Sequence, residues 1–349
     1  EATWIVWPYR PDNWRNKAVP GQAAYAELAN KMADFETVYM AVPKKELEHA
    51  QKLLSKKVNI VTMESDDAWV RDTGPTCVKN NATGEIRGVS WIFNAWGGKV
   101  DGLYYPWDQD QEVAPNICKY HNIDYYQADL ILEGGSIHTD GKGTLYVTEA
   151  CLLSDGRNKT KGLNKDQIEQ RLKDYLGVKK VLWLPHGIYQ DETNEHVDNI
   201  MQVAEDGCIL LSWTKDKKDP QYAYSKASYD YLKHNTNALG EKHKIVKIPA
   251  PDPLIYITKE ESEGVESVEG TLPRKEGDRQ AASYLNHYVG NGAVYVPVFH
   301  GNSDDKAHKL IQKHYPSRKL VKIDLAREII LGGGNIHCIT QQIPKLPKK

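Results

Sequence analysis

Residues 132–139 read LEGGSIHT and residues 331–338 read LGGGNIHC, so the chain contains the same Gly-rich frame twice. The shared Leu, Gly, Ile and His positions predict one local turn used in both places, because glycine permits conformations and close approaches that other residues resist. The exchanged positions carry the chemistry: Glu133 adds a carboxylate to the first copy, and Cys338 adds a thiol to the second. This repetition predicts two equivalent units that present the same turn to a shared centre.

The rest of the chain repeats a larger pattern of hairpin, helix and strand. β-Branched and aromatic runs flank turn-forming Asn, Asp and Gly residues, which predicts β-hairpins at 75–93, 136–149, 196–213 and 283–299. Each hairpin is followed by a helical pattern and a further strand, at spacings of very roughly 60 to 80 residues. The end of the chain (335–341) and its beginning (3–7) are available to complete a fifth unit. The pattern therefore predicts an α/β fold built as a closed, pseudo-symmetric ring of five units.

Individual elements follow from periodicity and end signals. The clearest helix is 165–176, where Asn164 and Gln167 can form a capping box and Gly177 can terminate the last turn. The segment 251–279 is rich in Pro, Gly and acidic residues and is predicted to be a long loop within one domain, 1–349. The remaining predicted helices are 21–34, 44–56, 108–121, 219–235 and 303–315, and the strands are 3–7, 37–42, 58–63, 88–93, 144–149, 180–184, 207–213, 244–248, 292–299 and 319–323.

Composition excludes several classes of function. With 45 basic and 47 acidic residues and a formal net charge of −2, the chain lacks the basic face that nucleic-acid binding requires. No apolar run approaches the roughly 20 residues of a membrane span, and we expect a reducing cytoplasm. The five cysteines are odd in number and scattered, which argues against a disulfide framework and a structural zinc site.

Polar motifs fall near the starts of successive units. If the units are pseudo-symmetric, equivalent positions converge on the ring axis, which brings a thiol, an imidazole and three carboxylates together. The motifs are WVRDTGP (69–75), LEGGSIH (132–138), TNEHVDN (193–199) and GGGNIHC (332–338), and the converging residues are Asp72, Glu133, His196, Asp198 and Cys338.

This set of groups suits a guanidinium substrate. Cysteine beside histidine is a candidate nucleophile with its acid/base. Three carboxylates would repel both a thiolate and an anionic substrate, so they are expected to compensate a cation. A guanidinium donates bidentate hydrogen bonds to carboxylates, and its central carbon is an electrophile that a thiolate can attack, leaving a covalent thiouronium that water hydrolyses. This chemistry needs neither a metal nor an organic cofactor.

The four motifs, in this order, resemble the agmatine deiminase (agmatine iminohydrolase) family of the guanidine-modifying enzyme superfamily. The likeness extends to TWIVWP, GTLPRKEGDRQAASYLN and VPVF and covers essentially the whole chain. It implies a five-bladed α/β propeller of ββαβ-type repeats that hydrolyses agmatine, a small cationic guanidine, to N-carbamoylputrescine and ammonia as a homo-oligomer. The roles that it implies are Cys338 as nucleophile, His196 as acid/base, Glu133 as its partner, Asp72 and Asp198 as guanidinium ligands, and Trp69 as pocket wall near the substrate chain.

Other residues at these motifs have plainer interpretations. Glu195 stands where the family often has Gly, and its carboxylate either contacts the distal ammonium of the substrate or faces solvent. His138 and His337 occupy the same place in both copies of the repeat, so they are predicted to be frame residues. The other four cysteines are predicted to be buried and inert, as isolated cysteines usually are: Cys77, Cys118, Cys151 and Cys208.

Three alternatives remain open at this stage. Deimination of free or peptidyl arginine would use the same scaffold, but it calls for an Arg or open backbone donors that bind the α-carboxylate or peptide groups. A ring-shaped factor that binds without chemistry would not need five reactive side chains in matching places. A Cys-His protease would leave the several carboxylates unexplained.

Overall fold

The computed structural model describes residues 1–346, and its strands and helices alternate along the chain. The strands are β1 (Ala2–Val6), β2 (Thr37–Val42), β3 (Asn59–Thr62), β4 (Thr76–Lys79), β5 (Ile86–Ile92), β6 (Tyr125–Ile131), β7 (His138–Thr139), β8 (Thr144–Thr148), β9 (Lys180–Leu184), β10 (Met201–Val203), β11 (Ile209–Trp213), β12 (Ile245–Pro249), β13 (Tyr288–Val289), β14 (Ala293–Pro297), β15 (Lys319–Ile323) and β16 (Gln341–Ile343). The α-helices are α1 (Val19–Met32), α2 (Leu47–Leu53), α3 (Val70–Thr73), α4 (Gly98–Asp101), α5 (Asp108–Gln111), α6 (Val113–Tyr120), α7 (Glu149–Leu152), α8 (Lys165–Leu176), α9 (Val197–Ile200), α10 (Pro220–His234), α11 (Lys259–Glu263), α12 (Asp304–Lys313) and α13 (Ala326–Leu331).

Four of the five sheets pair a hairpin with a third, parallel strand, and the remaining sheet pairs the two ends of the chain and adds two parallel strands. Four sheets have the orders β4-β5-β6, β7-β8-β9, β10-β11-β12 and β13-β14-β15, and the fifth has the order β16-β1-β2-β3. In that fifth sheet the last strand pairs antiparallel with the first, with Ala2 opposite Ile343 and Trp4 opposite Gln341. The two ends of the chain therefore complete one blade, which confirms the predicted closure of a five-bladed α/β propeller.

Helix α8 shows how local signals and packing agree within a blade. Asn164 Oδ1 accepts from the Gln167 backbone N–H at 2.9 Å, Gln167 returns the contact, and Gly177 ends the helix at φ 66°. Ile168 and Leu172, four residues apart, are buried in the cluster that holds strands β8 and β9. Each buried side chain contributes about 1.5–3 kcal/mol, so the apolar stripe attaches the helix to its sheet.

Two predicted elements differ from the structure. The segment 251–279 is mostly loop, but it contains helix α11, whose first turn is capped by Thr258 and Glu261 through reciprocal side-chain hydrogen bonds. The predicted helix 108–121 is divided at Glu112 into α5 and α6. Pro115 explains the division, because proline has no N–H to donate and is tolerated only in the first turn of a helix.

Within residues 1–346, none of the helices is both long enough and apolar enough to cross a membrane. The cytoplasmic location stays a prediction.

Candidate active site

Short turns placed just before the hairpins carry the predicted site residues. Helix α3 precedes β4 and holds Asp72, a single 3-10 turn (Gly134–Ser136) precedes β7 and follows Glu133, and helix α9 precedes β10 and holds Asp198. The turn that contains Cys338 precedes β16. Since equivalent segments of the blades lie around one axis, side chains distant in sequence meet at the centre of the ring.

The structure brings the thiol, the imidazole and the three carboxylates together. Cys338 Sγ lies 3.7 Å from Asp198 Oδ2. His196 Nε2 lies 3.6 Å from Glu133 Oε2, and His196 Nδ1 lies 4.0 Å from Asp72 Oδ1. All five side chains are at least nine-tenths buried. Water is thus largely excluded from a cluster in which charges interact strongly.

The Gly-rich frame allows this close approach. A Cβ on Gly135 would lie 2.6 Å from His196 Nδ1, 2.9 Å from Asp72 Oδ1 and 3.0 Å from Asp198 Oδ2. A Cβ on Gly334, in the second copy, would collide with the ring of Trp69. The repeated glycines therefore leave room for the reactive side chains and the pocket wall.

Asp72 and Asp198 are oriented by donors on the protein side. Asp72 accepts from the Gly135 N–H at 2.8 Å and from Trp96 Nε1 at 2.9 Å. Asp198 Oδ2 lies 2.8 Å from His337 Nδ1, and buried Asp198 Oδ1 has no hydrogen-bond partner among the described residues. The free oxygen can accept from a guanidinium without breaking an existing bond.

His337 is more than the frame residue that the repeat predicts. Burial and the nearby Arg71 guanidinium hold its pKa well below the usual value, so the neutral ring donates Nδ1–H to Asp198. His138, its counterpart in the first copy, accepts from the Val203 N–H at 2.9 Å and so joins two blades, as expected of a frame residue.

Burial and charge shift the pKa of every group in the cluster. Burial raises the pKa of both Asp72 and Asp198 to about 6, although His196 opposes the rise. Burial also raises the pKa of the Cys338 thiol well above its usual value, and Asp198 and Asp72 add to this effect. Burial alone would lower the pKa of His196, but Asp72, Cys151 and Glu133 raise it well above the usual value. Both shifts favour the protonated forms of the two groups, the Cys338 thiol and the His196 imidazolium.

A tryptophan-lined pocket leads to Cys338 and Asp72. The Trp69 indole donates Nε1–H to Asp67 Oδ2 at 2.9 Å and stacks on Trp14 with ring centroids 5.3 Å apart. Trp96 and Tyr104 also line the pocket. Its aromatic wall suits a short aliphatic chain that ends in a cation.

The long loop predicted at 251–279 contributes to the pocket wall. Thr271, Leu272 and Arg274 line the cavity. Arg274 donates to Glu192 Oε2, and at 2.7 Å to the Gly332 carbonyl oxygen. Leu272 is held by its backbone N–H on the Leu103 carbonyl oxygen at 2.9 Å. The loop is therefore fastened to the substrate pocket at two points.

Glu195 follows neither of the two predicted alternatives. Its carboxylate accepts from the Gly187 N–H at 2.7 Å and lies 3.2 Å from His186 Nδ1. It is absent from the pocket wall. A carboxylate that binds the neighbouring turn in this way supports the loop that carries His196.

Three functional positions escaped the sequence reasoning. Arg157 is fully buried, and its Nε lies 2.7 Å from Glu133 Oε1, which holds the pKa of that buried carboxyl below its usual range. Asn286 donates to Cys338 Sγ at 3.1 Å. Cys151 lies beside His196 and Glu133, although it was predicted to be inert. Only Asn286 had a sequence signal, because SYLNHYV precedes the fourth hairpin just as the other motifs precede theirs.

Two groups of possible metal ligands occur in the described part of the chain. Glu133, Cys151 and His196 place one ligand atom each within 4.8 Å of one another, but the Arg157 guanidinium on Glu133 opposes a cation there. The second group is Asp206, Cys208 and His314, in which His314 Nδ1 already lies 2.7 Å from Asp206 Oδ2.

Five blades around a buried Cys, His and carboxylate cluster define a guanidine-modifying enzyme of the α/β-propeller class. Residues 1–344 match the family described as Porphyromonas-type peptidyl-arginine deiminase, and the chain belongs to this family. A Latilactobacillus sakei protein with the provisional name agmatine deiminase is 53% identical over 98% of this chain and 92% of its own length.

Solved structures agree with this assignment. The agmatine deiminase of Enterococcus faecalis superposes with a TM-score of 0.95 at 43% identity, over 99% of this chain and 93% of that one. A Cys-to-Ser variant of C. jejuni agmatine deiminase with substrate bound superposes with a TM-score of 0.84 at 26% identity, over 99% and 94% of the two chains.

The raised pKa values of Asp72 and Asp198 predict how turnover depends on pH. Both carboxyls are ionised above about pH 6 and attract a guanidinium, and they become neutral as the pH falls through that value. We expect kcat/KM for agmatine to fall at least about tenfold per pH unit below about pH 6. Initial ammonia release measured from about pH 5 to about pH 8, with folding checked at each pH, tests this. A flat profile down to about pH 5 would contradict it.

Proposed function

We propose that this chain hydrolyses agmatine to N-carbamoylputrescine and ammonia, with Cys338 as the nucleophile. The observation that carries the proposal is the burial of a thiol, an imidazole and three carboxylates at the end of a tryptophan-lined pocket. A cluster with this excess of acid needs a cation, and a guanidinium offers both the charge and an electrophilic carbon. The agmatine deiminases that resemble this chain along nearly its whole length support the same substrate.

The first half-reaction forms a covalent intermediate. Asp72 and Asp198 hold the guanidinium nitrogens and fix its plane over Sγ, and the added positive charge favours loss of the thiol proton to solvent. Cys338 Sγ attacks the central carbon, and the His196 imidazolium gives a proton to the departing nitrogen, which leaves as ammonia. The product of this step is a thiouronium on Cys338, and His196 is left neutral.

The second half-reaction regenerates the thiol. Neutral His196 takes a proton from water, the hydroxide adds to the thiouronium carbon, and the C–S bond breaks to release N-carbamoylputrescine. Glu133 holds the imidazole ring in position, and Arg157 holds Glu133. The two steps together consume one water and release one ammonia.

The outer part of the pocket favours an amine over an amino acid. Its lining contains four carboxyl groups and two guanidinium groups. Arg10 is paired with Asp12 at 2.6 Å, and Arg274 is paired with Glu192. Neither arginine is therefore free to bind an α-carboxylate. With Asp72 on the guanidinium, Asp67 is the remaining carboxyl of the lining that can attract the second positive charge of agmatine. Because of this charge balance, deimination of arginine is the second candidate function.

A substrate panel tests the proposal. Ammonia release is measured with agmatine, free arginine and a blocked arginyl peptide under identical conditions. We expect kcat/KM for agmatine to exceed that for either arginine substrate by at least about 100-fold, because an α-carboxylate or peptide groups would meet the acidic pocket lining. Preference for either arginine substrate would change the assigned substrate from agmatine to that form of arginine. Absence of turnover with all three would favour a non-catalytic binding role.

The organisation of the chain is part of the proposal. We propose that residues 1–349 act as a single catalytic domain, which the pairing of the first and last strands supports. Assembly into a homo-oligomer in the cytoplasm remains a prediction, and sedimentation of the purified chain would measure its oligomeric state.

A further inference from the structure

Asn286 stands in its blade where the predicted site residues stand in the other four blades, just before the first strand. The stretch SYLNHYV (283–289) runs into β13 of the blade that contains β13 and β14, and Asn286 stands two residues before β13. Its side chain is completely buried. In the other four blades, the segments before β4, β7, β10 and β16 place the site residues at the same centre: Asp72, Glu133, His196 with Asp198, and Cys338. Every blade thus contributes a polar side chain to the site.

The side chain of Asn286 contacts the reacting sulfur. Asn286 Nδ2 lies 3.1 Å from Cys338 Sγ, and Asn286 Oδ1 accepts from the backbone N–H groups of His337 at 3.0 Å and Cys338 at 3.3 Å. Two backbone N–H groups require an acceptor, so the amide oxygen of Asn286 must face them. The amide nitrogen is then left to donate to the sulfur and to one other partner.

The orientation of the amide is set by a second asparagine. Asn286 Nδ2 donates to Asn199 Oδ1 at 2.9 Å, and Asn199 Nδ2 donates to Asp191 Oδ2 at 2.9 Å. Because Asn199 donates its N–H to Asp191, its oxygen is turned toward Asn286 and fixes the orientation of that amide. The same Asp191 oxygen accepts from the His196 backbone N–H at 3.2 Å. One hydrogen-bonded chain therefore connects the nucleophile with the loop of the acid/base.

We propose that Asn286 is a catalytic residue whose side-chain N–H stabilises the Cys338 thiolate, a role that rests on Cys338 being the nucleophile of the proposed function. In the thiol form, S–H faces acceptors, with Asp198 Oδ2 at 3.7 Å and Asn286 Oδ1 at 3.4 Å. When the proton leaves, the sulfur becomes an acceptor and the amide N–H is already in place. The bond is then charge-assisted and strengthens as the nucleophile forms.

The electrostatic surroundings of Cys338 make this donor important. Burial, Asp198 and Asp72 all raise the pKa of the thiol, whereas hydrogen bonds from the Asn335 backbone and from the Asn286 side chain lower it. The other charged or titratable groups around the sulfur are Arg71, His196, His337 and Tyr25. A neutral amide stabilises the thiolate without adding a charge that would repel the guanidinium substrate.

The pKa of Cys338 tests the proposal without using agmatine. The rate of alkylation by iodoacetamide is followed against pH by mass spectrometry of the peptide that contains Cys338, in the parent and in Asn286→Ser and Asn286→Asp variants. We expect the Cys338 pKa to rise by roughly one to two units in the Ser variant and further in the Asp variant, which adds a negative charge. Thermal unfolding reports whether each variant folds. If the Ser variant does not fold, the Asp variant still tests the proposal, because its side chain has the same shape as that of Asn.

Asn158→Ser is the matched control. Asn158 is also fully buried, and it bonds only the backbone of Ile131, through Nδ2 at 2.7 Å and Oδ1 at 2.9 Å. It should lose stability without changing the Cys338 pKa. A Cys338 pKa within about 0.3 unit of the parent in a folded Asn286 variant overturns the inference. The proposed function fails by a different result, namely that the parent does not deiminate agmatine.

Discussion

Replacing Cys338 with alanine is expected to abolish ammonia release from agmatine, by a factor of at least about 10,000, while agmatine still binds. The sulfur is the only atom of the cluster that forms a covalent bond in the proposed reaction, and its removal leaves no substitute nucleophile in the pocket lining. Asp72, Asp198 and the tryptophan wall remain, so the dissociation constant of agmatine, measured by calorimetry, should change by less than about tenfold.

Cys208→Ala is the matched control for this substitution. Cys208 is also a buried free thiol, but it lies in the β10–β11 hairpin beside Asp206. Its removal should leave agmatine turnover within about twofold of the parent. Rapid acid quenching of the parent with agmatine should yield an amidine adduct on the Cys338 peptide and none on the Cys208 peptide. Undiminished turnover by Cys338→Ala would contradict the mechanism.

Replacing Arg157 with glutamine is expected to lower the free energy of unfolding by about 3–5 kcal/mol and to remove turnover. Both Arg157 and Glu133 are completely buried, so loss of the guanidinium leaves Glu133 without its counter-charge. The same guanidinium donates to the Thr193 carbonyl oxygen at 3.0 Å and to Asn194 Oδ1 at 2.7 Å, and therefore holds the loop that leads to His196. Denaturant unfolding and ammonia release measure the two effects.

The pH dependence of Glu133 gives the same substitution a second readout. In the parent, burial would raise the pKa of Glu133, but Arg157 and His196 hold it below the usual value. Its ionised form thus contributes stability at neutral pH that is lost as the pH falls through the lowered pKa. Without Arg157, burial prevails and the pKa of Glu133 rises, so this contribution should already be lost at a higher pH.

Two further variants separate the charge pair from the rest of Arg157. In the double variant Arg157→Gln with Glu133→Gln, no buried charge lacks a partner, so part of the lost stability should return while turnover stays absent. Arg171→Gln breaks the exposed pair with Asp129, whose side chains are 30% and 56% exposed, and should cost less than about 1 kcal/mol. Parent-like stability and activity in Arg157→Gln would show that Glu133 does not depend on this partner.

Repetition in the sequence predicted much of the architecture. The turn chemistry between alternating strands located four hairpins, and the capping box at Asn164 with Gly177 located helix α8 residue by residue. These signals succeed because caps, turns and apolar stripes are satisfied within about a dozen neighbouring residues. Placing a polar motif before three of these hairpins and a fourth before the terminal strand then sufficed to predict which five side chains meet.

Only the tertiary structure showed which residues from the rest of the chain contact and support those five side chains. Arg157 reaches Glu133 from another segment, and Asn286 reaches Cys338 from the blade that contains β13 and β14. Glu195 turns toward Gly187 instead of the pocket. No local pattern reports these contacts, because a buried charge or a reacting sulfur takes its partner from whichever segment the ring brings within about 3 Å. Sequence alone thus determined the repeated frame and the reactive groups, whereas the closure of the ring decided which residues orient, neutralise and activate them.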